Sequence, residues 1–385
     1  MKSGARIAVI GAGLGGTVAA VLMQRAGFDV RVYEQASGLE RIGAGINLDP
    51  HAMRIMRHIG VEQRLLQIGL PSATRSAREW DTGRVTYDVP VEIYPEQYGA
   101  CHFSIHRGDL QEVLVSAVAP GTLELGKRLS WIGESGDAVK ISFADGSSTE
   151  ADLVIGADGI NSRIREVLLA PERPRYMGKV AYRAVFPTAL LGGLELDDHV
   201  KWWGEERVVV AYKLTRARDE FYVMASLPEP EWGADDYTPG QADLAHVRRS
   251  FADFHSDVRR ILDASPSMTR FAVLEREPLP FWSRGRIAML GDACHPMAHH
   301  MAQGAAMAYE DAVILTRCLQ QCGANDYMTA FRMYEAIRYE RASRIQKASR
   351  HQWLQTPTDP GWVFNYDPFN APLGGTASAH FNKVA

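Results

Sequence analysis

Three short apolar runs that end at glycine recur along the chain and indicate strands of a buried sheet. They cover 7–10, 153–155 and 287–290. Strands that are covered on both faces read as continuous apolar runs, because neither face meets water, and such strands are typical of parallel sheets. A helical pattern of apolar residues at 18–23 follows the first run. The pattern predicts an α/β fold whose central sheet is assembled from three separated segments.

Between these runs the pattern alternates between strand-like and helical stretches. Further strands are predicted at 123–125, 129–132, 139–143, 180–186, 208–212 and 220–225, the first three of them as an antiparallel meander. Helices are predicted from residue 50 onward and at 107–118, 242–254, 257–262, 305–319 and 327–351.

The clustering of strands after residue 178 indicates a second, β-rich domain. We predict a discontinuous nucleotide-binding domain that comprises 1–75, 100–177 and 275–325. The inserted β-rich domain would comprise 76–99 and 178–274, and a C-terminal helical segment would cover 326–385. The segmentation argues against a simple nicotinamide dehydrogenase, whose dinucleotide domain is usually one contiguous segment.

A G-x-G-x-x-G spacing joins the first strand to the first helix. Gly11 permits the tight turn, Gly13 lets the backbone approach a pyrophosphate, and Gly16 lets the helix lie against the strand. Glu34 ends the next predicted strand about twenty residues later, where an acid accepts from ribose hydroxyls. A glycine turn that serves packing alone is the alternative. The strand, helix, second strand and terminal acid in register favour a dinucleotide site.

Polar residues at other strand ends add to this site. Asp158-Gly159 and Gly291-Asp292 follow the second and third apolar runs, and Arg107 begins a predicted helix. A cation at a helix start is unfavourable to the helix dipole unless it meets an anion, which favours a phosphate partner for Arg107 over a surface role. For Asp158 a turn acid at the strand end is the alternative. Gly43 and Gly45 suggest that a ligand approaches the backbone closely there.

Composition and charge narrow the function class. The 385 residues are 46% hydrophobic, with a net charge of -4 and a pI near 6.3. These values argue against nucleic-acid binding and favour a protein that acts on a small molecule. The four cysteines show no C-x-x-C and no zinc spacing, so we expect no disulfide framework, no metal site and a cytoplasmic location. Glycines interrupt the N-terminal apolar stretch, so neither a signal peptide nor a membrane span is expected.

Together these motifs resemble the group A, single-component flavoprotein aromatic hydroxylases. Three motifs match in order: the glycine turn with Glu34, the Asp158-Gly159 strand end, and the block 286–311. The resemblance covers essentially the whole chain. It implies a Rossmann-like FAD-binding domain of the glutathione-reductase type, an inserted β-sheet substrate domain and C-terminal helices. FAD would be the cofactor, with NADH or NADPH and O2 as co-substrates, and NADH is our expectation.

The resemblance also assigns FAD-binding roles. The glycine turn would hold the pyrophosphate and Glu34 the adenosine ribose, while Arg107 and Asp292 would meet the phosphates and the ribityl chain. Asp158 would lie where the nucleotide meets the flavin. The expected FAD-binding residues are Gly11, Gly13, Leu14, Gly16, Glu34, Gln35, Arg107, Asp158, Asp292, Gly304 and Ala305.

Within the family, the chain is most similar to decarboxylating hydroxylases of hydroxylated pyridine and benzene carboxylic acids. Runs such as Lys201-Trp202-Trp203 and 291–297 carry this likeness. Four positions depart from that branch. Asn47 stands where His is expected, Val208 where another His is expected, His199 where Cys is expected, and His299 where Pro is expected. These departures alter the polarity of the substrate pocket.

The resemblance implies that reduced flavin and O2 form a C4a-hydroperoxide that attacks an electron-rich ring. Deprotonating a ring hydroxyl makes the ring reactive, and a histidine suits that task near neutral pH. We expect His300 to be the base or proton relay, Tyr212 to contact the substrate hydroxyl or carboxylate, and Asn47 to orient the ring. His295 is expected to orient its loop, and Arg183 is a candidate carboxylate anchor.

Several of these assignments have alternatives. Tyr212 would otherwise be a core residue, and Arg183 a surface cation. Hydroxylation without decarboxylation, a flavin oxidoreductase that does not activate O2, and a binding flavoprotein without turnover share the three motifs. The expected partner is a small aromatic acid, with no nucleic acid and no membrane, on a monomer or homodimer.

Overall fold

The computed structural model describes residues 4–41, 44–233, 237–350 and 359–374. Its strands are β1 (Arg6–Ile10), β2 (Asp29–Tyr33), β3 (Gly45–Leu48), β4 (Leu70–Pro71), β5 (Arg75–Glu79), β6 (Val85–Val89), β7 (Phe103–His106), β8 (Leu123–Glu124), β9 (Leu129–Ser135), β10 (Ala138–Phe143), β11 (Ser148–Ala151), β12 (Leu153–Gly156), β13 (Arg175–Pro187), β14 (His199–Trp203), β15 (Val208–Lys213), β16 (Glu220–Pro228), β17 (Gly240–Gln241), β18 (Thr269–Glu275), β19 (Ser283–Arg284) and β20 (Ile287–Met289). Its helices are α1 (Leu14–Arg25), α2 (Pro50–His58), α3 (Glu62–Ile68), α4 (Tyr94–Tyr98), α5 (Arg107–Val115), α6 (Arg163–Leu168), α7 (Leu244–Ser250), α8 (Ser256–Ala264), α9 (Gly304–Cys322), α10 (Tyr327–Ala348) and α11 (Gly361–Phe364).

The three apolar runs lie side by side in one sheet, as predicted. Its strand order is β19-β20-β12-β1-β2-β8, and β1 pairs in parallel with β12 and with β2. β12 also pairs in parallel with β20. Apart from Arg6, the residues of β1 and β12 are almost fully buried, and Val9 and Ile155 have 0% exposure. The carboxyl ends of β1, β12 and β20 therefore meet at one edge, where the glycine turn and the Gly291 turn also lie.

One strand was predicted wrongly. Leu123–Glu124 was expected to open an antiparallel meander, but β8 pairs in parallel with β2 at the edge of the central sheet. The antiparallel sheet has the order β11-β10-β9 instead, and β11 follows β10 after a short turn. A strand of two residues carries too short a pattern to reveal a partner that lies ninety residues earlier in the chain.

The eight-stranded sheet forms the wall that faces the nucleotide-binding side. Its order is β17-β18-β13-β16-β15-β14-β5-β6, so β5 and β6 join strands from the β-rich segment. Successive side chains of a strand point to opposite faces. Residues such as Val200, Trp202 and Val209 pack in a core with residues of α7 and α8, including Val247 and Ile261. The alternate positions face the other way. The boundaries of the two domains stay a prediction.

The long C-terminal helices α9 and α10 pack against each other, and their buried residues belong to the same hydrophobic core as the central sheet. Both helices were predicted. α10 ends at Ala348, and the predicted end at residue 351 lies outside the described residues. Gly43, which was expected near a ligand, also lies outside them. Within the described ranges no helix has the length and apolar character that a membrane crossing requires.

Candidate active site

The three glycines of the first turn differ in what surrounds them. A Cβ on Gly11, whose φ is +103°, would lie 2.4 Å from the Ala157 carbonyl oxygen, and a Cβ on Gly16 would lie 2.1 Å from the Gly11 carbonyl oxygen. A Cβ on Gly13 would meet no atom within 4 Å. Gly11 and Gly16 are therefore required by the fold itself, whereas Gly13 leaves room beside the backbone for a ligand.

The start of α1 is suited to an anion. Gly13 is the residue before the helix and offers no side-chain cap, and the first turn contains no acidic residue. The first backbone N–H groups of a helix have no partner within it, and the helix dipole favours negative charge there. Gly13, Leu14 and Gly15 line the cavity next to this turn.

Glu34 lies just beyond β2 and ties the turn to the next loop. Its Oε2 accepts from the Ala12 N–H at 2.8 Å, and its Oε1 accepts from the Ala36 N–H at 2.9 Å. Each carboxylate oxygen has a second lone pair for a ribose hydroxyl. Gln35, the next residue, is exposed. The ribose contact stays a prediction.

The opposite side of the turn carries Arg107 and Asp292. Both line the cavity, and the side chain of each is open to it. Although open to the cavity, Asp292 lies deep among protein atoms, and this burial raises the pKa of its carboxyl, while the charges of His295 and Arg107 lower it. Gly304 and Ala305 at the start of α9 line the same part of the cavity.

A buried network holds the Gly291 turn from behind. Asp311 Oδ2 accepts from the Gly291 N–H at 2.9 Å and lies 2.5 Å from Nε2 of His295. Burial lowers the pKa of His295, but the Asp311 charge outweighs it and raises that pKa well above the ordinary value. Arg338 completes the network, with its Nε 2.8 Å from Asp311 Oδ1. This arrangement supports the expectation that His295 orients its loop.

Asp158 caps the start of α6. Its carboxylate accepts from Ser162 Oγ at 2.5 Å and from the backbone N–H groups of Arg163 and Ile164 at 2.8 and 3.1 Å. Ala157 and Gly159 line the cavity, whereas Asp158 is not among the lining residues. The contacts correspond to the turn-acid alternative, and a direct contact of Asp158 with a cofactor stays a prediction.

The cavity, about 410 Å³ in volume, separates the glycine turn from the eight-stranded sheet. The sheet residues that line it alternate along their strands, so they share one face. They are Arg75, Arg183, His199, Lys201, Trp203, Val208, Val210, Tyr212, Tyr222 and Met224. Trp202 and Trp203 are adjacent on β14 and point to opposite faces, and Trp203 is the one at the cavity.

Tyr212 lies at the centre of this wall. Its ring stacks on His199 with centroids 5.3 Å apart, and the ring of Tyr222 lies 4.7 Å away. Burial raises the pKa of the Tyr212 hydroxyl well above its ordinary value, so the phenol stays protonated and can donate. A Cβ on Gly45 would lie 2.8 Å from the Tyr212 hydroxyl oxygen. Gly45 therefore makes room for the Tyr212 side chain, and because it also lines the cavity, close approach of a ligand there stays a prediction.

The other two residues expected to act on the substrate also line the cavity. Ser104 Oγ donates to Oδ1 of Asn47 at 2.8 Å, which leaves the Asn47 NH2 group as a donor. Nδ1 of His300 lies 2.9 Å from the carbonyl oxygen of Ser349. A carbonyl only accepts, so Nδ1 carries the proton and Nε2 carries the lone pair that a base requires.

The positions that depart from the similar branch all lie at the cavity. Asn47, His199, Val208 and His299 are among its lining residues. Burial, with His300, Arg183, Lys201 and Lys179 nearby, lowers the pKa of His299 well below the ordinary value. Burial likewise lowers the pKa of His199. Both imidazoles are therefore neutral at physiological pH.

Four cavity residues were missed as site residues from the sequence. Asp49 and His102 form a buried pair with Oδ1 and Nδ1 2.8 Å apart, and Arg75 and Lys201 lie on adjacent strands. Lys201 could have been found, because it alternates with His199 and Trp203 on a strand whose apolar residues point to the opposite face. Asp49 and His102 carry no local signal, since each reads as a residue at an element boundary.

Comparison with known proteins agrees with this geometry. A family model described as FAD binding domain matches residues 5–349. The chain is 48% identical to the 6-hydroxynicotinate 3-monooxygenase of Bordetella bronchiseptica, over 97% of this chain and 98% of that protein. It is 29% identical to the salicylate hydroxylase of Pseudomonas putida, over 90% of this chain and 85% of that protein. Klebsiella pneumoniae HpxO in complex with FAD and uric acid matches with a TM-score of 0.81 and 28% identity, over 92% of this chain and 89% of that chain.

These matches confirm the family that the motifs indicated. They also confirm FAD as the cofactor, and a monooxygenase of this kind requires NAD(P)H and O2 as co-substrates. An oxidoreductase of this scaffold that does not activate O2 is disfavoured, because the relatives are named monooxygenases and hydroxylases. The chain belongs to the FAD binding domain family and is an FAD-dependent aromatic monooxygenase.

Proposed function

We propose that this enzyme hydroxylates a 6-hydroxynicotinate-like or salicylate-like acid, a hydroxylated pyridine or benzene ring that bears a carboxylate. The observation that carries the proposal is the cavity wall, where cationic, imidazole and phenol side chains face the Gly13 turn. An apolar cavity with a few convergent polar groups suits a planar ring with an anionic substituent and a hydroxyl. The identity to a 6-hydroxynicotinate 3-monooxygenase supports this substrate class.

The residues of the cleft fit FAD. The space beside Gly13, the uncapped start of α1 and the cavity-facing Arg107 together suit a pyrophosphate. Asp292 would meet ribityl hydroxyls, and Glu34 the adenosine ribose. When bound, the flavin accepts a hydride from NAD(P)H and activates O2 as an electrophilic oxygen donor. We place the reaction in the cytoplasm, where NAD(P)H is supplied.

The protein would contribute proton transfer and positioning. We assign to His300 Nε2 the removal of the proton from the ring hydroxyl, because the hydrogen bond from Nδ1 to the Ser349 carbonyl leaves the lone pair on Nε2. Loss of that proton makes the ring electron-rich and ready to attack an electrophilic oxygen. The Tyr212 hydroxyl and the Asn47 NH2 group would donate to the substrate and hold its ring in one orientation.

The position of the carboxylate would decide the leaving group. Where the attacked ring carbon bears the carboxylate, the ring regains aromaticity by releasing CO2. Where that carbon bears hydrogen, a proton leaves and the product keeps its carboxylate. We favour the decarboxylating reaction, and simple hydroxylation is the alternative.

The test is a panel of hydroxypyridine and hydroxybenzene carboxylic acids given to the FAD-loaded enzyme. Stimulated NADH oxidation, O2 uptake, released CO2 and the hydroxylated product are measured together. One equivalent each of O2, CO2 and product per NADH supports decarboxylating hydroxylation, and product without CO2 supports the alternative. If no acid in the panel accelerates NADH oxidation, the proposed substrate class is wrong.

A further inference from the structure

Two cations lie next to each other on neighbouring strands of the cavity wall. β5 and β14 pair in parallel, with Arg75 opposite His199 and Ala77 opposite Lys201. Side chains at alternate positions share a face, and diagonal neighbours on adjacent strands lie about 7 Å apart. Arg75 and Lys201 both line the cavity. The two strands therefore direct two cationic groups into the same part of the cavity.

The protein supplies no carboxylate partner for these cations within the described residues. Neither Arg75 nor Lys201 forms an ion pair there, and the acid whose charge reaches both of them is Asp49. The oxygens of Asp49 are already engaged, since Oδ1 binds Nδ1 of His102 at 2.8 Å and Oδ2 accepts from Nε2 of Gln303 at 2.7 Å. Two like charges in a buried site are costly unless an anion lies between them. This part of the wall is thus complementary to an anionic ligand.

The other candidate anchor, Arg183, lies elsewhere on the wall. It is on β13, which β16 and β15 separate from β14. Arg183 and Lys201 each lie over an aromatic ring, Phe271 at 4.7 Å and Trp203 at 4.5 Å from the centroid, so their separation on the sheet is what distinguishes them. Arg183 therefore cannot act together with Arg75 on one carboxylate in the way that Lys201 can.

We infer that Arg75 and Lys201 form the anchor for the substrate carboxylate. The inference rests on the proposed function for the class of ligand, an aromatic acid, and specifies how that class is recognised. The anchor would select ring acids against neutral ring amides of the same shape. It would also fix which end of the ring lies at the β5–β14 side of the cavity.

The state of Lys201 gives the anchor a measurable signature. Burial and the Arg75 charge lower the pKa of Lys201 to about 7, while Asp49 opposes them. The other titratable groups nearby are His199 on its own strand, His299 on the loop before α9, and His102 just before β7, whose ring centroid lies 5.7 Å from that of His199. A bound carboxylate favours the ammonium form, so at pH 8 binding would be accompanied by proton uptake from solvent at Lys201 Nζ.

The experiment is isothermal titration calorimetry of the FAD-loaded enzyme with 6-hydroxynicotinate and with 6-hydroxynicotinamide. The two probes share the ring and the hydroxyl, so their difference isolates the carboxylate. Titrations at pH 6 and pH 8 in buffers of different ionisation enthalpy give the number of protons taken up. We expect the acid to bind about 10- to 100-fold more tightly than the amide. At pH 8 the acid should also take up more protons than the amide.

Variants at position 201 separate the charge of the anchor from its ability to titrate. Lys201→Met should lose at least about tenfold of the preference for the acid, together with the extra proton uptake. Lys201→Arg should keep the preference and lose the uptake, because a guanidinium stays charged. Lys140→Met removes an exposed lysine on β10 and should change neither.

Two outcomes overturn the anchor: equal binding of acid and amide by the wild-type enzyme, or an unchanged preference in Lys201→Met. Calorimetry does not depend on turnover, so the anchor and the proposed function fail separately. If the acid is preferred and Lys201 is required, but no hydroxylated product forms, the anchor stands and the proposed reaction is wrong. If product forms while the preference is absent, the reaction stands and the anchor is wrong.

Discussion

Asp49 and His102 form a buried hydrogen bond at the edge of the cavity, with Oδ1 and Nδ1 2.8 Å apart. A carboxylate only accepts, so Nδ1–H of His102 donates. Asp49 precedes α2, His102 precedes β7, and Gln303 binds the second carboxylate oxygen of Asp49 from the loop before α9. One carboxylate therefore joins three segments that are far apart in the chain.

Asp49→Asn should lower the free energy of unfolding by about 1 to 3 kcal/mol near pH 7, because one of the two oxygens that accept from His102 and Gln303 in a buried site becomes an NH2 group, which cannot accept. Burial raises the pKa of Asp49, but the His102 bond and charge outweigh it and lower that pKa to about 2. A lowered pKa stabilises the fold above the unfolded-state value, about 4, and the benefit is lost as the pH falls toward 2. Urea unfolding at several pH values measures this.

The pH dependence distinguishes the pair from a general loss of packing. The difference between the wild type and Asp49→Asn should shrink between pH 4 and pH 2. Asp88→Asn, at an exposed position on β6, should leave stability within about 0.5 kcal/mol. A difference that is as large at pH 2 as at pH 7 would contradict a stabilising role for the ionised Asp49 carboxylate.

Gly13→Ala and Gly16→Ala should have opposite consequences, although each adds one methyl group. The methyl group of Gly13→Ala enters open space and the backbone, with φ -64° and ψ 179°, accepts it, so the apoprotein should fold while FAD affinity falls at least about tenfold. The methyl group of Gly16→Ala meets a backbone oxygen at 2.1 Å, so the fold itself should be destabilised. Flavin content per chain and the Tm of the apoprotein measure the two effects. Equal Tm losses in both variants would remove Gly13 from cofactor binding.

The central sheet could be predicted from the sequence because each of its main strands is recognisable from its own residues. β1, β12 and β20 are apolar at consecutive positions and each ends at a glycine, so each run reveals a strand buried on both faces. β8 was misassigned because its two residues carry no pattern that distinguishes a parallel edge from a hairpin. Short elements depend on tertiary partners more than on their own residues.

Residues of the cavity could be predicted where their position in the sequence resembles that of a known family. They could not be predicted where only a tertiary contact brings them to the cavity. Tyr212, Asn47 and His300 were expected at the substrate, and the structure places all three at one cavity. The Asp49–His102 pair joins residues 53 positions apart that the antiparallel pairing of β3 with β7, which sets Leu48 opposite Phe103, brings together. No spacing rule relates two such positions, so a single sequence does not predict the pair.

Arg338→Met should destabilise the protein by about 3 to 5 kcal/mol, because it removes the cation that two buried carboxylates share and leaves Glu310 with Arg341 alone and Asp311 with His295 alone. Arg338 is fully buried and binds both Glu310 and Asp311 at 2.6 and 2.8 Å. The Asp311 carboxylate would then lose a partner while it still holds the Gly291 turn. Thermal and urea unfolding measure the loss. Arg332→Met, at an exposed position of the same helix, should change stability by less than about 0.5 kcal/mol, and a similar loss there would contradict a specific role for the buried cation.

His300→Ala should keep FAD and fold normally, yet slow hydroxylation by about 100- to 10,000-fold. The reason is that His300 lines the cavity and that Nδ1 donates to the Ser349 carbonyl, which leaves the lone pair on Nε2. Flavin absorbance, product formation from pH 5 to pH 9, and rescue by added imidazole provide the measurements. Because the alanine variant leaves a space of imidazole size, rescue would assign the loss to the missing base and not to a displaced loop. Turnover equal to the wild type at every pH would remove His300 from the proton transfer, and the neutral His299 beside it would become the residue to test.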